Sequence, residues 1–411
     1  MTHHLPEKKK EKKEDEKEDF LSLFEQLAKF QEIELEDVEM EFGDLELWFQ
    51  PGAVAAPPLP ILKTVPPIAK AKPAEILQAD FIPPIEQYPG QVVEVTLGAT
   101  KSQGGSRGRA ITIGGEKSPA FYTFENPTTH RPIISLDVFD MKVPLAKAVK
   151  MHVKEVMEDP VAWAKLAVDK FGADMVTMHI ISIDPLLKDT SPKDAAKTVE
   201  NVLQAVDVPL VIGGCGDPKK DAAAFELIAE MAAGERLLFS SVTQDMDIEK
   251  VATVINKHDH VALSFTPMDL NQARQLNRRL YDFLPKERIV MDTTTAALGY
   301  GLEYAFTIME RARLAALMGD PELQHPMSSG TTNAWAAREA WMEMAPEWDP
   351  RELRGPLWEV VTATNLLLAG VDLFMMMHPA AVKTLKDIIT ELTSGNRGKA
   401  EKIASWVSAK I

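Results

Sequence analysis

The sequence has too few cysteines for a disulfide or an iron–sulfur cluster of its own. Its 411 residues include one cysteine, Cys215. A single thiol cannot form an intrachain disulfide, and an iron–sulfur cluster usually needs four protein ligands. We therefore expect no iron–sulfur cluster in this chain, so any such cluster in its system has to sit on another protein.

Long apolar runs are also missing. No stretch approaches the roughly 18 apolar residues that suggest a membrane-spanning helix. The first residues, up to the Lys8-Lys9-Lys10 run, lack the apolar core of a signal peptide. We expect a cytoplasmic protein without a membrane partner.

Positive charge is scarce. The formal net charge is −16, and residues 1–50 hold 16 acidic and 7 basic side chains, which is −9 of that total. Proteins that bind nucleic acid present a basic face to the phosphates. An acidic chain with no basic stripe predicts that nucleic acid is not a partner.

The chain divides into an appendage, a linker and a main domain. Residues 1–50 begin with a mixed-charge run that predicts disorder, followed by an apolar stripe with helical spacing and then by alternating strands. We predict an acidic helix and hairpin unit there. Residues 51–89 contain ten prolines, which predicts a semi-rigid linker.

Residues 90–131 predict a short β segment in which two strands flank a glycine-rich loop, residues 98–109. The loop carries three cations, Lys101, Arg107 and Arg109. Backbone N–H groups in such a loop can cradle an anion. A strand follows it, however, where a phosphate-binding loop needs a helix, so a hairpin loop is the favoured interpretation.

From residue 132 onward, short apolar runs alternate with helical stretches. Alternating strands and helices predict a parallel sheet, and eight such units predict a closed α/β barrel, a (β/α)₈ or TIM barrel. We assign residues 132–411 to this barrel and a C-terminal helical tail, with a doubly wound open sheet as the alternative. The predicted strands are 133–137, 175–180, 210–213, 237–241, 261–265, 289–292, 326–329 and 372–377.

The working face of such a barrel lies at the C-terminal ends of its strands. Here the sequence places hydroxyls, small residues and one amide, and it offers no strand-end lysine and no HExxH or CxxC motif. Such a rim suits binding of a large ligand more than reaction with it. The candidates are Thr293, Thr294, Thr295, Ser328, Ser329, Gly330, Thr331, Asn333 and His378.

Capping roles compete with this interpretation. Asp292 and Thr293 are about as well placed to cap the helix that follows them. His378 precedes Pro379, which is typical of the first turn of a helix, so a capping histidine is an equal alternative. The run from Ser328 to Asn333 exceeds what one cap requires, although redundant caps would look similar.

Four stretches of the sequence resemble a known family. Residues 97–107 and 113–117 resemble the strand segment before the barrel in the delta subunit of acetyl-CoA decarbonylase/synthase. Residues 291–304, MDTTTAALGYGLEY, and 327–335, MSSGTTNAW, resemble the sixth-strand and seventh-strand motifs of that family. The likeness extends over most of residues 90–390.

The resemblance implies the small subunit of a corrinoid iron–sulfur protein. It would form a heterodimer with a larger subunit that carries the cluster and a corrinoid-binding domain, with the corrinoid, a cobamide, between the two chains. Cobalt would accept a methyl group from a methyl-tetrahydropterin or its methyltransferase and pass it on within the acetyl-CoA complex, whose other subunits are further expected partners. The nine candidates, chiefly Thr293, Thr294, Ser328, Ser329, Thr331 and Asn333, would bind the corrin amides and shield cobalt from water, without being catalytic.

Three rival functions remain open. A self-sufficient pterin-dependent methyltransferase barrel would use strand-end residues such as Asp137, Asp292 and Asn333. A phosphate-handling barrel would need glycine-rich loops after the last two strands, and only Gly330 is present there. A structural scaffold would bury the rim against another protein without touching a cofactor.

Overall fold

The computed structural model describes residues 86–122 and 128–394. The predicted acidic unit of residues 1–50, the linker up to residue 85 and the tail from residue 395 lie outside these ranges. Within the described residues, no helix is both long enough and apolar enough to cross a membrane.

Eight parallel strands form the main sheet. They are Ile133–Phe139 (β3), Met175–His179 (β4), Leu210–Gly213 (β5), Leu238–Val242 (β6), Val261–Phe265 (β7), Ile289–Asp292 (β8), Ser328–Ser329 (β9) and Leu373–Met376 (β10), numbered after two earlier strands, Val95–Leu97 (β1) and Ile111–Ile113 (β2). Their spatial order is β8-β7-β6-β5-β4-β3-β10-β9. The sheet closes through a parallel bridge between Met291 on β8 and Met327 beside β9. The predicted (β/α)₈ barrel is therefore confirmed over the open-sheet alternative.

Helices follow the strands and cover the outside of the barrel. Most begin at an Asp, Ser or His cap, and several have proline in the first turn, because that position has no intrahelical use for an N–H group. The helices are Lys147–Val153 (α1), Pro160–Asp169 (α2), Pro192–Ala205 (α3), Pro218–Met231 (α4), Ile248–Lys257 (α5), Leu270–Leu280 (α6), Leu302–Leu317 (α7), Arg351–Leu368 (α8) and Pro379–Thr393 (α9).

The seventh barrel strand is the weakest, because β9 spans two residues. Side chains reinforce it at its start. Asp372 accepts a hydrogen bond from the Met327 N–H at 2.8 Å, and the Asp372 N–H donates to the Met327 carbonyl at 2.8 Å. The start of β9 is thus held against the start of β10 by a polar side chain as well as by a short backbone ladder.

The barrel interior is apolar in its lower half and polar in its upper half. The apolar part is a single buried cluster that also includes residues of the segment before the barrel. Its buried members are Val95, Leu97, Ile113, Ile133, Met175, Val211, Leu238, Val261, Leu263, Val290, Leu373 and Met375. Above it, buried Ser135 and Thr177 hydrogen-bond each other at 2.6 Å, which marks the change to polar layers.

The segment before the barrel is an antiparallel hairpin, Val95–Leu97 (β1) with Ile111–Ile113 (β2), which closes the N-terminal end of the barrel. Its loop does not present a cluster of free cations. Arg107 is 4% exposed, pairs with Glu235 at 2.8 Å and donates to the Leu203 carbonyl at 2.7 Å. Arg109 donates to the Asp174 carbonyl at 2.9 Å, so both arginines bond within the fold, and the segment is a hairpin loop as the favoured interpretation predicted.

A buried ion triad joins the same hairpin segment to the barrel. Arg313 of α7 lies 2.9 Å from Glu116 and 3.0 Å from Asp372, and all three side chains are almost fully buried. Asp372 also holds Met327, as described above. The triad therefore links the segment before the barrel, helix α7 and the start of strands β9 and β10.

Candidate functional site

Inward-facing side chains at the C-terminal ends of four strands form a polar mouth. Strand alternation turns Asp137 of β3, His179 of β4, Asp292 of β8 and Ser328 of β9 toward the barrel axis, one layer above the apolar cluster. Two buried carboxyl groups therefore lie in one mouth. We call these four residues the barrel mouth.

Asp292 organises the end of β8. It accepts hydrogen bonds from the Thr294 N–H at 2.7 Å and from Ser328 Oγ at 3.2 Å. Burial raises the pKa of Asp292 to about 6. Thr294 has φ of 78°, a left-handed conformation that is strained for threonine, and its hydroxyl donates to the Thr266 carbonyl at 3.0 Å.

The two predicted polar motifs meet across the seam of the barrel. Thr295 Oγ1 donates to Ser329 Oγ at 2.9 Å, Ser329 and Thr331 share a hydrogen bond of 2.8 Å, and Asn333 Nδ2 donates to the Thr295 carbonyl at 3.0 Å. We call this set, with Asp292 and Ser328, the seam latch. Its hydroxyls bond mainly to one another.

Exposure separates the nine predicted residues into two groups. Asn333 is exposed, and Thr294 and Gly330 are half-buried. Thr293, Thr295, Ser328, Ser329, Thr331 and His378 are buried. The hydroxyl of Thr293 has no hydrogen-bond partner among the described residues. The structure thus brings eight of the nine to one seam, but only three reach the surface.

His378 is a helix cap. Its Nδ1 accepts the Ala380 N–H at 3.1 Å at the start of α9, and the ring also hydrogen-bonds the Ala148 backbone. Burial lowers the pKa of His378 to about 4. The ring stacks on Trp335, with centroids 5.9 Å apart. The ring is therefore used inside the protein, as the capping alternative predicted.

Thr332 and Asp137 are a contact that the sequence does not reveal. Thr332 Oγ1 donates to Asp137 Oδ2 and, at 3.3 Å, to the Met375 carbonyl. Asp137 is 1% exposed. Its other oxygen, Oδ1, receives no hydrogen bond from the described residues, although His179 Nε2 lies 3.2 Å away. No spacing in the sequence sets Thr332 apart from its neighbours.

Glu359 and Gly355 of α8 also support the site, although nothing in the sequence marks them as site residues. Glu359 accepts the N–H groups of Met377 at 2.6 Å and His378 at 3.0 Å, and burial raises the pKa of Glu359 to about 8. A Cβ at Gly355 would lie 2.2 Å from the Trp335 ring. Trp335 therefore packs directly on the helix backbone and anchors the turn that carries Asn333.

Cys215 lacks the features of a nucleophile. Burial raises the pKa of its thiol to about 11, whereas reactive cysteines have a lowered pKa. Its N–H donates to Asp221 at 2.7 Å. Cys215 is part of a turn that Asp221 holds in place.

The rim around the mouth exposes large apolar side chains. They lie on loops and helix starts that follow β4, β8 and β9, and they are unusual in number for a free surface. They are Leu186, Leu187, Tyr300, Tyr304, Trp341, Met342, Trp348, Leu353 and Leu357. We call them the apolar rim, and such a surface is typical of contact with a partner.

A surface cavity of about 980 Å³ opens at the opposite end of the barrel. Lys117, Arg236 and Arg288 line it, and both arginines pair with Asp259. The C-terminal end therefore remains the better candidate site.

Solved structures with a similar fold are distant. A dihydropteroate synthase from Xanthomonas albilineans, solved with 4-aminobenzoic acid, has a TM-score of 0.46 and 15% identity and covers 68% of this chain and 100% of its own. The enzyme from Thermus thermophilus has a TM-score of 0.44 and 16% identity, with 72% of this chain and 99% of its own covered. Likenesses this distant carry no argument about function.

Sequence relatives are much closer. The delta subunit of the acetyl-CoA decarbonylase/synthase complex of Archaeoglobus fulgidus is 51% identical over 369 residues, 88% of this chain and 80% of the relative. That of Methanocaldococcus jannaschii is 47% identical over 386 residues, 92% of this chain and 93% of the relative. Residues 94–347 match the family described as CO dehydrogenase/acetyl-CoA synthase delta subunit. The chain belongs to this family of delta subunits, as the sequence motifs predicted.

Proposed function

We propose that the chain is the small subunit of a corrinoid iron–sulfur protein in the cytoplasm. Its barrel rim covers one face of a corrinoid, a cobamide, that it shares with a larger subunit. The observation that supports this most is the apolar rim around a polar seam, because a corrin offers both apolar faces and peripheral amides.

The outer side of the seam offers hydrogen-bonding groups that fit the peripheral amides of a corrinoid. Asn333 still has its side-chain oxygen to offer, since only its Nδ2 is used in the seam latch. The half-buried Thr294 and Gly330 lie beside it along the seam. We propose that these three contact the corrinoid directly and that the six buried residues of the original nine hold them in place.

When bound, the corrinoid supplies a cobalt that carries a methyl group from a methyl-tetrahydropterin, or from the methyltransferase that uses it, toward the acetyl-CoA complex. The contribution of this chain is physical. The apolar rim excludes water from the covered face, and the seam latch keeps the polar contacts rigid. In this proposal no residue of the chain is catalytic.

The partners follow from this assignment. The larger subunit would bring the iron–sulfur cluster, for which this chain has too few cysteines. The apolar rim would be buried between the two subunits, with the corrinoid at its centre. Other subunits of the acetyl-CoA complex are further partners in this proposal.

The test is corrinoid retention by the purified chain, alone and with the larger subunit, followed by visible absorbance. We expect a corrinoid spectrum in the heterodimer. Asn333→Leu should lower retention by about tenfold, because it removes a hydrogen-bonding amide and leaves a buried polar partner unpaired. Asn201→Leu, an exposed amide on α3, is the control and should change nothing.

Two outcomes would contradict the proposal. If the heterodimer assembles and holds no corrinoid, the scaffold function is favoured. If Asn333→Leu retains the corrinoid as well as Asn201→Leu does, the contact is not at the seam.

The pterin-dependent methyltransferase remains the alternative, favoured by one observation. Asp137 and Asp292, two of the three residues it would use, both lie in the barrel mouth. The third, Asn333, is on the outer side of the seam and is bonded to Thr295. Methyl transfer from a methyl-tetrahydropterin to free cobalamin by this chain alone would support the alternative, and its absence would support a non-catalytic subunit.

A further inference from the structure

We propose that the cavity at the N-terminal end of the barrel binds the phosphate group of a small molecule. Arg236 and Arg288 would bind the phosphate oxygens from the barrel, and Lys117 would bind them from the segment before it. The site lies at the opposite end from the seam latch and the apolar rim, so it does not depend on whether the rim holds a corrinoid.

The cavity has the size of a small-molecule site. Its volume is about 980 Å³, at the upper end of the roughly 300–1,000 Å³ that such sites occupy. One wall comes from β1 and the residues after β2, and the other from the residues directly before β6 and β8. A ligand there would contact both the hairpin segment and the barrel.

Two arginines beside the cavity share a single carboxylate. Arg236 donates to Asp259 Oδ2 from Nη2 at 2.9 Å and from Nε at 3.3 Å, and Arg288 donates to Asp259 Oδ1 from Nη2. The side chains of Arg236 and Arg288 are 15% and 20% exposed. One negative charge therefore balances two positive charges that are largely withdrawn from water.

Arg288 has the most donors to spare. Among the described residues, Asp259 accepts from its Nη2 and nothing accepts from its Nε or Nη1. Burial lowers the pKa of Arg288, although the charge of Asp259 acts in the opposite direction. An anion in the cavity would supply the missing acceptor, because a guanidinium group binds phosphate oxygens through paired N–H donors.

Lys117 adds a third cation from a different part of the fold. It lines the same cavity, is exposed and forms no ion pair with another described residue. A carboxylate has two oxygens in one plane, whereas a phosphate group offers three acceptor oxygens around phosphorus. Cations on both walls of the cavity therefore suit a phosphate better than a carboxylate.

Two carboxylates in the lining restrict the ligand to one with little further negative charge. Glu94 Oε1 lies 2.8 Å from His130 Nε2, and Glu287 is exposed. Both would repel a chain of phosphates. In this the cavity differs from a general basic surface, on which affinity rises with every phosphate that is contacted.

The experiment is isothermal titration calorimetry of the full-length chain with inorganic phosphate. Constant ionic strength separates binding from charge screening. We expect saturable binding of one phosphate per chain. Acetate should bind at least about tenfold more weakly, and tripolyphosphate should bind no more tightly than phosphate.

Three variants locate the site. Arg288→Met should weaken phosphate binding at least about tenfold, and Asp259 then keeps Arg236 as its partner. Asp259→Asn should tighten binding because it frees both arginines, and asparagine tolerates the left-handed φ of 62° at this position. Arg279→Met, at an exposed position of α6 outside the cavity, is the control and should bind like the wild type. Urea denaturation would show that each variant is folded.

Four results would overturn the proposal. They are no saturable phosphate binding by the folded wild-type chain, equal binding by Arg288→Met and Arg279→Met, acetate binding as tightly as phosphate, and much tighter binding of tripolyphosphate, which would indicate a general basic surface. Corrinoid retention by the heterodimer is measured separately, so failure of one site does not imply failure of the other.

Discussion

The two ends of the barrel differ in how their buried polar groups are paired. At the N-terminal end, Arg107 and Arg313 are buried, but each is matched by a carboxylate and by backbone carbonyls. At the C-terminal end, Asp137 Oδ1 and the Thr293 hydroxyl are buried without a hydrogen bond among the described residues. The two buried arginines of the N-terminal end therefore have charged partners, although Arg313 Nε has no acceptor among the described residues, whereas a carboxylate oxygen and a hydroxyl lack a hydrogen bond at the C-terminal end.

This difference is what a barrel with a binding face should show. Pairing of the buried charges at the N-terminal end stabilises the structure, as is typical of the end of a barrel that carries no active site. Unpaired groups, together with the left-handed Thr294, destabilise the other end. Local destabilisation of this kind is found mainly at functional sites, where binding of a ligand or partner can offset it.

The largest expected effect comes from replacing Arg313, which tests whether the buried ion triad stabilises the N-terminal end of the barrel. Arg313→Met would leave Glu116 and Asp372 buried without their cation, so we expect the free energy of unfolding to fall by about 3–5 kcal/mol. Urea denaturation measures this. Arg311→Met, two residues earlier and exposed on α7, is the control. Equal effects of the two substitutions would mean that the N-terminal end does not stabilise the barrel.

A smaller effect is expected from a methyl group added beside the rim turn. Gly355→Ala would place its Cβ 2.2 Å from Trp335, and overpacking of this kind lowers stability by about 1–3 kcal/mol. It should also move the turn and reduce corrinoid retention by the heterodimer. At Gly330 the nearest atom would be 3.8 Å away, so Gly330→Ala should leave stability unchanged. Similar melting temperatures for the two variants would contradict this account of Trp335.

A further effect is a pH dependence at the upper end. Burial raises the pKa of Glu359 from 4.5 to about 8, so the folded protein keeps a proton that the unfolded chain has already released. Stability should therefore fall as the pH rises through this range, by up to about 1.4 kcal/mol per pH unit.

The clearest window for that measurement is pH 6.5 to 8. Below it, Asp292 acts in the same direction up to about pH 6. His378, with its pKa lowered from 6.5 to about 4, acts in the opposite direction up to pH 6.5. Chemical denaturation at several pH values should give a flatter profile for Glu359→Gln than for the wild type. Parallel profiles would show that Glu359 is not the titrating group.

Much of the fold could be predicted from local patterns. All eight barrel strands and the hairpin before them lie within a few residues of their predicted places. The reason is that the regular alternation of apolar and polar side chains can be seen in residues that are close in sequence. The seventh strand was the hardest, since β9 has two residues and depends on Asp372 for support. The family could be recognised as well, because residues 291–304 and 327–335 are long continuous motifs.

The sequence alone determined the alternation of strands and helices, the end of the barrel where the candidate residues lie, and the family. Only the tertiary structure decided what the polar residues do there. Thr295 meets Ser329 because β8 and β9 are neighbours at the closure of the sheet, and Thr332 meets Asp137 across 195 residues of chain. Periodicity encodes which face of an element is buried, but the partner of a buried hydroxyl depends on strand order, register and closure.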